Sequence, residues 1–153
     1  MRSEQRAQAR EALDRRLGGV NTSALAPPPH GWVRAIREAL GMTTRQMGQR
    51  AGISAMSVTS LERSERAGTV QLDTLRKAAD ALNCDLVYAL VPRDSLDETI
   101  FRQARKTAEQ EVLRVDRTMR LEDQATDRDP DARVVQFANR LIASGRVWRG
   151  DGS

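Results

Sequence analysis

Two hydroxyl residues suited to starting helices, Thr43 and Ser54, stand on either side of Gly52, and no other feature restricts the fold of this chain so strongly. A Ser or Thr side chain accepts a hydrogen bond from an amide in the first helical turn, and glycine enters the positive-φ region without steric cost. The pattern therefore predicts one helix from Thr43 through Arg50, a turn at Ala51-Gly52-Ile53, and a second helix capped by Ser54. Gly48 carries no side chain where the two helices must cross, and Met47, Ile53, Val58 and Leu61 are placed to lock them at a steep angle. A pair of this kind turns its second helix outward, a geometry suited to the major groove of a duplex, with the first helix crossing the phosphates.

The flanking residues supply a bundle for that pair. Trp32, Ile36 and Leu40, with Val33 and Ala39 alongside, have the spacing of one buried helix face, and Gly41 supplies the stop. After the polar loop Ser64 to Gly68, Leu72, Leu75, Ala79 and Leu82 mark a further helix, with Ala78 widening its stripe and Asn83 ending it. Leu86-Val87-Tyr88-Ala89-Leu90-Val91, closed by Pro92, reads as one short strand. A lone strand needs a partner, so pairing with the same segment of a second copy is expected, giving a homodimer. The alternative is an extended tail packed on its own domain.

At the amino terminus, Ala9, Leu13 and Leu17 repeat at four-residue intervals in a helix spanning Glu4 to Leu17, which Gly18-Gly19 ends. Pro27-Pro28-Pro29 then forbids helix and makes a stiff spacer; a ligand for a proline-reading domain is the other reading of it. Beyond Pro92 a long charged helix is expected from about Leu96 to Gln124, with Ile100, Ala104, Ala108, Val112, Val115 and Met119 on or near one face. Asp127 to Pro130 breaks it, and Ala132 to Ser144 forms a last helix leading to Trp148. The expected fold class is all-α: a helix-turn-helix bundle with one short β-strand and carboxy-terminal helices. Its expected parts are an amino-terminal helix and Pro-rich linker (1–30), the bundle with its pairing strand (31–92), and a helical extension (93–153).

Aromatic residues are only 3% of the chain, so its core rests on aliphatic side chains and Ala. The formal charge of +4 points towards an anionic partner without specifying one, and nearly all the cations are Arg, whose guanidinium suits phosphate. Arg34, Arg37, Arg45, Arg50, Arg63 and Arg66 are candidate phosphate contacts, each weighed against a plain surface role. The single cysteine, Cys84, excludes an internal disulfide and reads as a small buried apolar residue beside Leu86. Met1 to Leu17 has no apolar core of a signal peptide, and no apolar run is long enough to span a bilayer, so a soluble cytoplasmic protein is expected. The only histidine, His30, sits in the proline-rich linker with no ligand set or nucleophile–base pair around it. Neither an enzyme nor a metal or cofactor is expected.

The segment Thr43 to Glu62 resembles the lambda-repressor/Cro-like helix-turn-helix superfamily, over about Trp32 to Leu82. That resemblance implies binding of double-stranded DNA, with Thr44 on phosphate at the start of the first helix. Ala55, Met56, Ser57 and Ser60 would then face bases, with Thr59 beside them. Ser54, Arg45 and Arg63 complete the expected interface. None of the base-facing positions carries Arg, Gln or Asn, so thymine methyls, serine hydroxyls and DNA shape are left to supply specificity.

With the flanks Pro28-Pro29-His30-Gly31-Trp32, Ser64-Glu65-Arg66-Ala67-Gly68-Thr69-Val70 and Leu86 to Pro92, the chain is similar to the family called mobile mystery protein A. The similarity extends from the amino-terminal helix to Gln124. Members of that family are typically encoded beside a Fic-domain partner, which implies an antitoxin-like repressor of its own operon. Fic inhibitors carry Ser or Thr, three residues, Glu, then Gly or Asn, and their Glu pairs with an arginine that otherwise binds ATP phosphate. Thr118 and Glu122 have that spacing, but Asp123 departs from the last position; Thr107 and Glu111 share the looser spacing. The competing expectation is a protein–protein antitoxin whose carboxy-terminal helices neutralise a partner enzyme, DNA binding being secondary.

Overall fold

A computed structural model describes residues 2–121 and 129–149 of the chain. Among the described residues seven α-helices follow one another: α1 Ser3–Leu17, α2 Trp32–Ala39, α3 Thr44–Ala51, α4 Ala55–Ala67, α5 Leu72–Ala81, α6 Leu96–Leu121 and α7 Pro130–Ser144. A short 3-10 turn spans Ser23–Leu25. Packing divides the chain into two units, Asn21–Leu90 and the combination of Met1–Val20 with Val91–Ser153.

In the Asn21–Leu90 unit, helices α2 to α5 close over Val33, Met47, Val58, Leu61, Ala78 and Leu82, with Ile36, Met42, Leu75 and Cys84 packed against them. These are the apolar stripes that the 3.6-residue period places on one face of each helix. Ile53 does not join this core; it is 38% exposed, so the lock between α3 and α4 rests on Met47, Val58 and Leu61. Asn83 takes a left-handed φ of 57° directly after the last turn of α5 and ends that helix.

The expected strand at Leu86 to Val91 is corrected by the structure, because no strand occurs among the described residues. A strand exists only through ladder hydrogen bonds to a neighbour. Leu86 to Val91 has no backbone hydrogen bond to the rest of the described chain. Val87, Tyr88 and Leu90 are 83%, 66% and 89% exposed, which also removes the reading of this segment as a tail packed on its own domain.

In the other unit, α6 and α7 lie against each other over Ala104, Ala108, Val112, Val134, Ala138 and Val147. Alanines at the contact let the two backbones approach. Arg105 of α6 reaches Asp131 of α7 at 2.8 Å, and Arg133 of α7 reaches Asp116 of α6 at 2.8 Å. Pro130 opens α7 instead of preceding it: it occupies the first turn, where a missing N–H costs nothing, and the Asp129 side chain accepts from the Asp131 amide.

Helix α1 packs on α6 and α7 by polar contacts, and none of its residues is buried. The expected apolar stripe is not its contact face: Ala9 and Leu13 are exposed, whereas Arg6, Arg10 and Asp14 engage the neighbours. The Asp14 carboxylate accepts from the Leu96 amide at 2.8 and 3.0 Å and from the Asp97 amide at 3.4 Å. Ser95 Oγ accepts from the Glu98 amide at 3.0 Å. Three amides that the first turn of α6 leaves without intrahelical partners are thereby satisfied.

Candidate nucleic-acid interface

The turn between α3 and α4 is built by the residues that marked it. Thr43 Oγ1 accepts from the Gln46 amide at 3.1 Å while Gln46 Oε1 accepts from the Thr43 amide at 2.8 Å, a reciprocal pair that fixes the start of α3. Gly52 adopts φ 70° and ψ 30°, and the Ile53 amide donates back to the Gly48 carbonyl at 2.9 Å. A Cβ on Gly48 would lie 2.5 Å from the Ile53 carbonyl oxygen and 3.2 Å from the Ser54 carbonyl carbon. Only glycine admits so close a passage of the turn. Ser54 Oγ then accepts from the Ser57 amide at 3.0 Å and opens α4.

Two carboxylates hold α4 against α2. Glu62 and Arg37 are both buried, and the guanidinium donates through Nε to Oε1 at 2.6 Å and through Nη2 to Oε2 at 3.3 Å. Arg37 Nη1 also donates to the Met42 carbonyl at 2.8 Å. The hydrogen bond to Glu62 raises the Arg37 pKa, against the opposing effect of burial. About one turn further along α4, Glu65 accepts from the Trp32 amide at 2.8 Å and the Val33 amide at 3.1 Å. Helix α2 has no side-chain cap of its own, since Gly31 occupies the capping position, so Glu65 supplies it from another helix.

With one face of α4 so committed, the opposite face is free. Met56 is 81% exposed, Ser57, Thr59, Ser60 and Arg63 are exposed, and Ala55 is half-buried at the first position. Met56, Ser60 and Arg63 follow the four- and three-residue spacing of one helix face. Thr44 is half-buried at the first position of α3, Arg45 next to it is exposed, and Ser54 is exposed at its cap. The structure therefore gathers Ser54, Ala55, Met56, Ser57, Thr59, Ser60 and Arg63 along one helix and places Thr44 and Arg45 at the start of the helix before it.

Burial and pairing thin the list of candidate phosphate contacts. Arg37 is withdrawn into its pair with Glu62, Arg50 Nε donates to the Ala81 carbonyl at 2.7 Å, and Arg34 pairs with Glu38 at 2.8 Å. The Arg34 hydrogen bond holds the Glu38 carboxyl below its ordinary pKa. Arg45, Arg63 and Arg66 are exposed and make no ion pair among the described residues. Charge alone does not separate Arg37 from the exposed arginines, whereas helical phase does. Glu62 falls on the same helical stripe as Val58 and Leu61, and an inward carboxylate there requires a buried cation partner.

Thr118 lies exposed on α6, its hydroxyl donating to the Arg114 carbonyl at 3.1 Å, while Glu122 is outside the described residues. In the second pair with that spacing, the Thr107 hydroxyl donates to the Gln103 carbonyl, and Glu111 is paired with Arg114 at 2.5 Å, which lowers the Glu111 pKa. No group of His, Cys, Asp and Glu suited to a metal ion occurs among the described residues. No described helix is long and apolar enough to cross a membrane.

Two helices crossing at a glycine-tight turn, the second anchored on one face through Val58, Leu61 and Glu62 and exposed on the other, define a helix-turn-helix domain. Residues 33–88 match the family described as Helix-turn-helix, which is a family of DNA-binding domains of the XRE-like kind and not of enzymes. The match takes in α2 to α5 and the exposed segment through Tyr88, and leaves α1, α6 and α7 outside it. Neither a curated protein nor a solved structure matches the chain.

Proposed function

We propose that this chain is a sequence-specific transcriptional regulator that acts as a homodimer on its own operon and serves as the antitoxin-like partner of a Fic-domain protein. The observation that carries the DNA-reading part is the outer face of α4, where Met56, Ser57, Thr59, Ser60 and Arg63 are exposed while Val58, Leu61 and Glu62 anchor the helix. Thr44 and Arg45 contact phosphate, and the first two turns of α4 meet the base edges. Two-fold pairing through Leu86 to Val91 places two such helices on successive half-sites; the support is that Val87 to Leu90 within this apolar segment are exposed and that the segment is without backbone partners among the described residues. The Fic partner rests on the resemblance in the flanking residues alone.

A mobility-shift titration on the DNA upstream of the chain's own gene tests this reading. Wild type forms a discrete complex at low salt, and Arg45→Ala and Ser57→Arg each weaken it; unchanged binding by both variants would remove the assigned interface.

A second reading is favoured by the separate packing of α1, α6 and α7. Here the carboxy-terminal helices bind and neutralise a partner enzyme, with Leu113 of α6 exposed for that purpose. Co-expression with the neighbouring gene product separates the two. If Leu113→Glu leaves protection intact, this second reading fails.

A further inference from the structure

The hydroxyls on the reading face of α4 are largely spent inside the helix. Ser54 Oγ and Ser57 Oγ lie 2.8 Å apart and share a hydrogen bond, and Ser54 Oγ also accepts from the Ser57 amide. Thr59 Oγ1 donates its proton to the Ala55 carbonyl at 3.2 Å, so the methyl is the uncommitted part of that exposed side chain. Only Ser60 keeps a hydroxyl with no hydrogen-bond partner among the described residues. Between these positions Met56 projects an apolar, flexible side chain, more exposed than any of the core-facing residues of the helix by a wide margin.

Each base edge in the major groove asks for different chemistry. Guanine calls for a bidentate donor such as Arg or Lys, adenine for an Asn or Gln amide, and cytosine for a carboxylate acceptor; thymine offers a methyl group to apolar contact. Residues 55–60 contain none of the first three residue types. What they expose is a thioether chain, a methyl, the Ser60 hydroxyl and the Ser57 hydroxyl, which with Ser54 has one proton to spare from the hydrogen bond they share.

We infer that the chain selects its DNA site by contact between Met56 and the 5-methyl group of thymine, so that the preferred half-site carries a thymine opposite the start of α4. This rests on the DNA-binding reading above and adds the base class that the interface recognises. Arg63 stands on the same face two turns further along, where the helix leaves the groove floor, and contacts phosphate.

The test uses the full chain and a pool of random-sequence duplexes selected for binding at low salt. The winning duplex is then synthesised with each thymine replaced in turn by deoxyuridine, which deletes one methyl group and nothing else. Losing one buried methyl contact weakens binding about fourfold, so at least one replacement is expected to cost wild type about that factor. Met56→Ala should bind the thymine and uracil duplexes equally, and Met56→Leu should restore the difference. Uracil duplexes that bind wild type as well as the parent overturn the inference while leaving DNA binding in place. So does discrimination that survives in Met56→Ala, or that disappears in Arg63→Ala instead. If the pool yields no bound duplex at all, the DNA-binding reading itself falls, and with it the inference.

Discussion

The Glu65 carboxylate closes the amino-terminal end of α2 by accepting from the Trp32 amide at 2.8 Å, although the two residues belong to different helices. Its second oxygen takes the Val33 amide, and a Cβ on Gly31 would come within 2.9 Å of it. Gly31 thus combines a left-handed φ of 85° with room for that carboxylate. Glu65→Ala strands two amides, and a lost cap of this kind costs about 1–2 kcal/mol. Urea unfolding monitored by circular dichroism should show that loss, with Glu65→Gln retaining part of it. A change within error of wild type would show that water replaces the carboxylate fully.

Removing one member of the buried Arg37–Glu62 pair leaves an uncompensated charge, and Glu62→Ala is expected to cost about 3 kcal/mol. The double variant Arg37→Met/Glu62→Leu should recover most of it, because the pair is replaced by apolar groups of similar size. The partner raises the Arg37 pKa, so this stabilisation is complete below the guanidinium's ordinary range and is lost only on titrating through the raised value. The gap between wild type and Glu62→Ala should accordingly stay constant from neutral to mildly alkaline pH.

Gly48→Ala drives a methyl into the Ile53 carbonyl oxygen 2.5 Å away, a contact with backbone that no rotamer relieves. The expected cost is about 2 kcal/mol, read by thermal unfolding. DNA affinity should fall by more than stability alone predicts, since the displaced turn tilts α4. Equal stability of the variant and wild type would mean that the crossing has slack.

Arg45 and Arg63 should act through phosphate. Each change to Ala should weaken binding similarly on every sequence and lower the slope of log affinity against log salt by about 1. Arg50→Ala, whose guanidinium is committed to the Ala81 carbonyl, should instead lower stability and leave that slope unchanged. Mobility shifts at several salt concentrations separate the two behaviours.

The exposed apolar residues Val87, Tyr88 and Leu90 predict self-association. Sedimentation should give a dimer for wild type at micromolar concentration and a monomer for Tyr88→Pro, which removes a ladder donor. A monomeric wild type would leave this segment without its proposed partner.

Much of the domain was legible because its signals are local. Caps at Thr43 and Ser54, the positive φ at Gly52 and the stripes through Val33, Met47, Val58, Leu61 and Ala78 all lie within a helical turn or two of the residues they govern. What escaped is long-range and aperiodic. Asp14 capping α6, Glu65 capping α2 and Arg37 turning inward towards Glu62 each join residues far apart in the chain, through a single side chain that leaves no pattern in its neighbourhood. The strand expectation failed for another reason: six apolar residues satisfy strand propensity, whereas the ladder that makes a strand requires a second edge that this copy does not provide. The outer face of α4 follows from its place after Ser54, but the hydrogen bonds its hydroxyls make within the helix are visible only as distances.

The contact of Asp14 with the Leu96 and Asp97 amides also orders events on the ribosome. Helix α1 leaves the exit tunnel before α6 and α7, yet it buries nothing on its own and its polar partners on those helices are made only after residue 95. The Asn21–Leu90 segment carries its whole apolar interior within itself and draws on neither α6 nor α7. A stalled nascent chain whose Asn21–Leu90 segment has just cleared the exit tunnel is therefore expected to show a protease-resistant middle and a digestible α1, which gains protection only when α6 and α7 have emerged in turn.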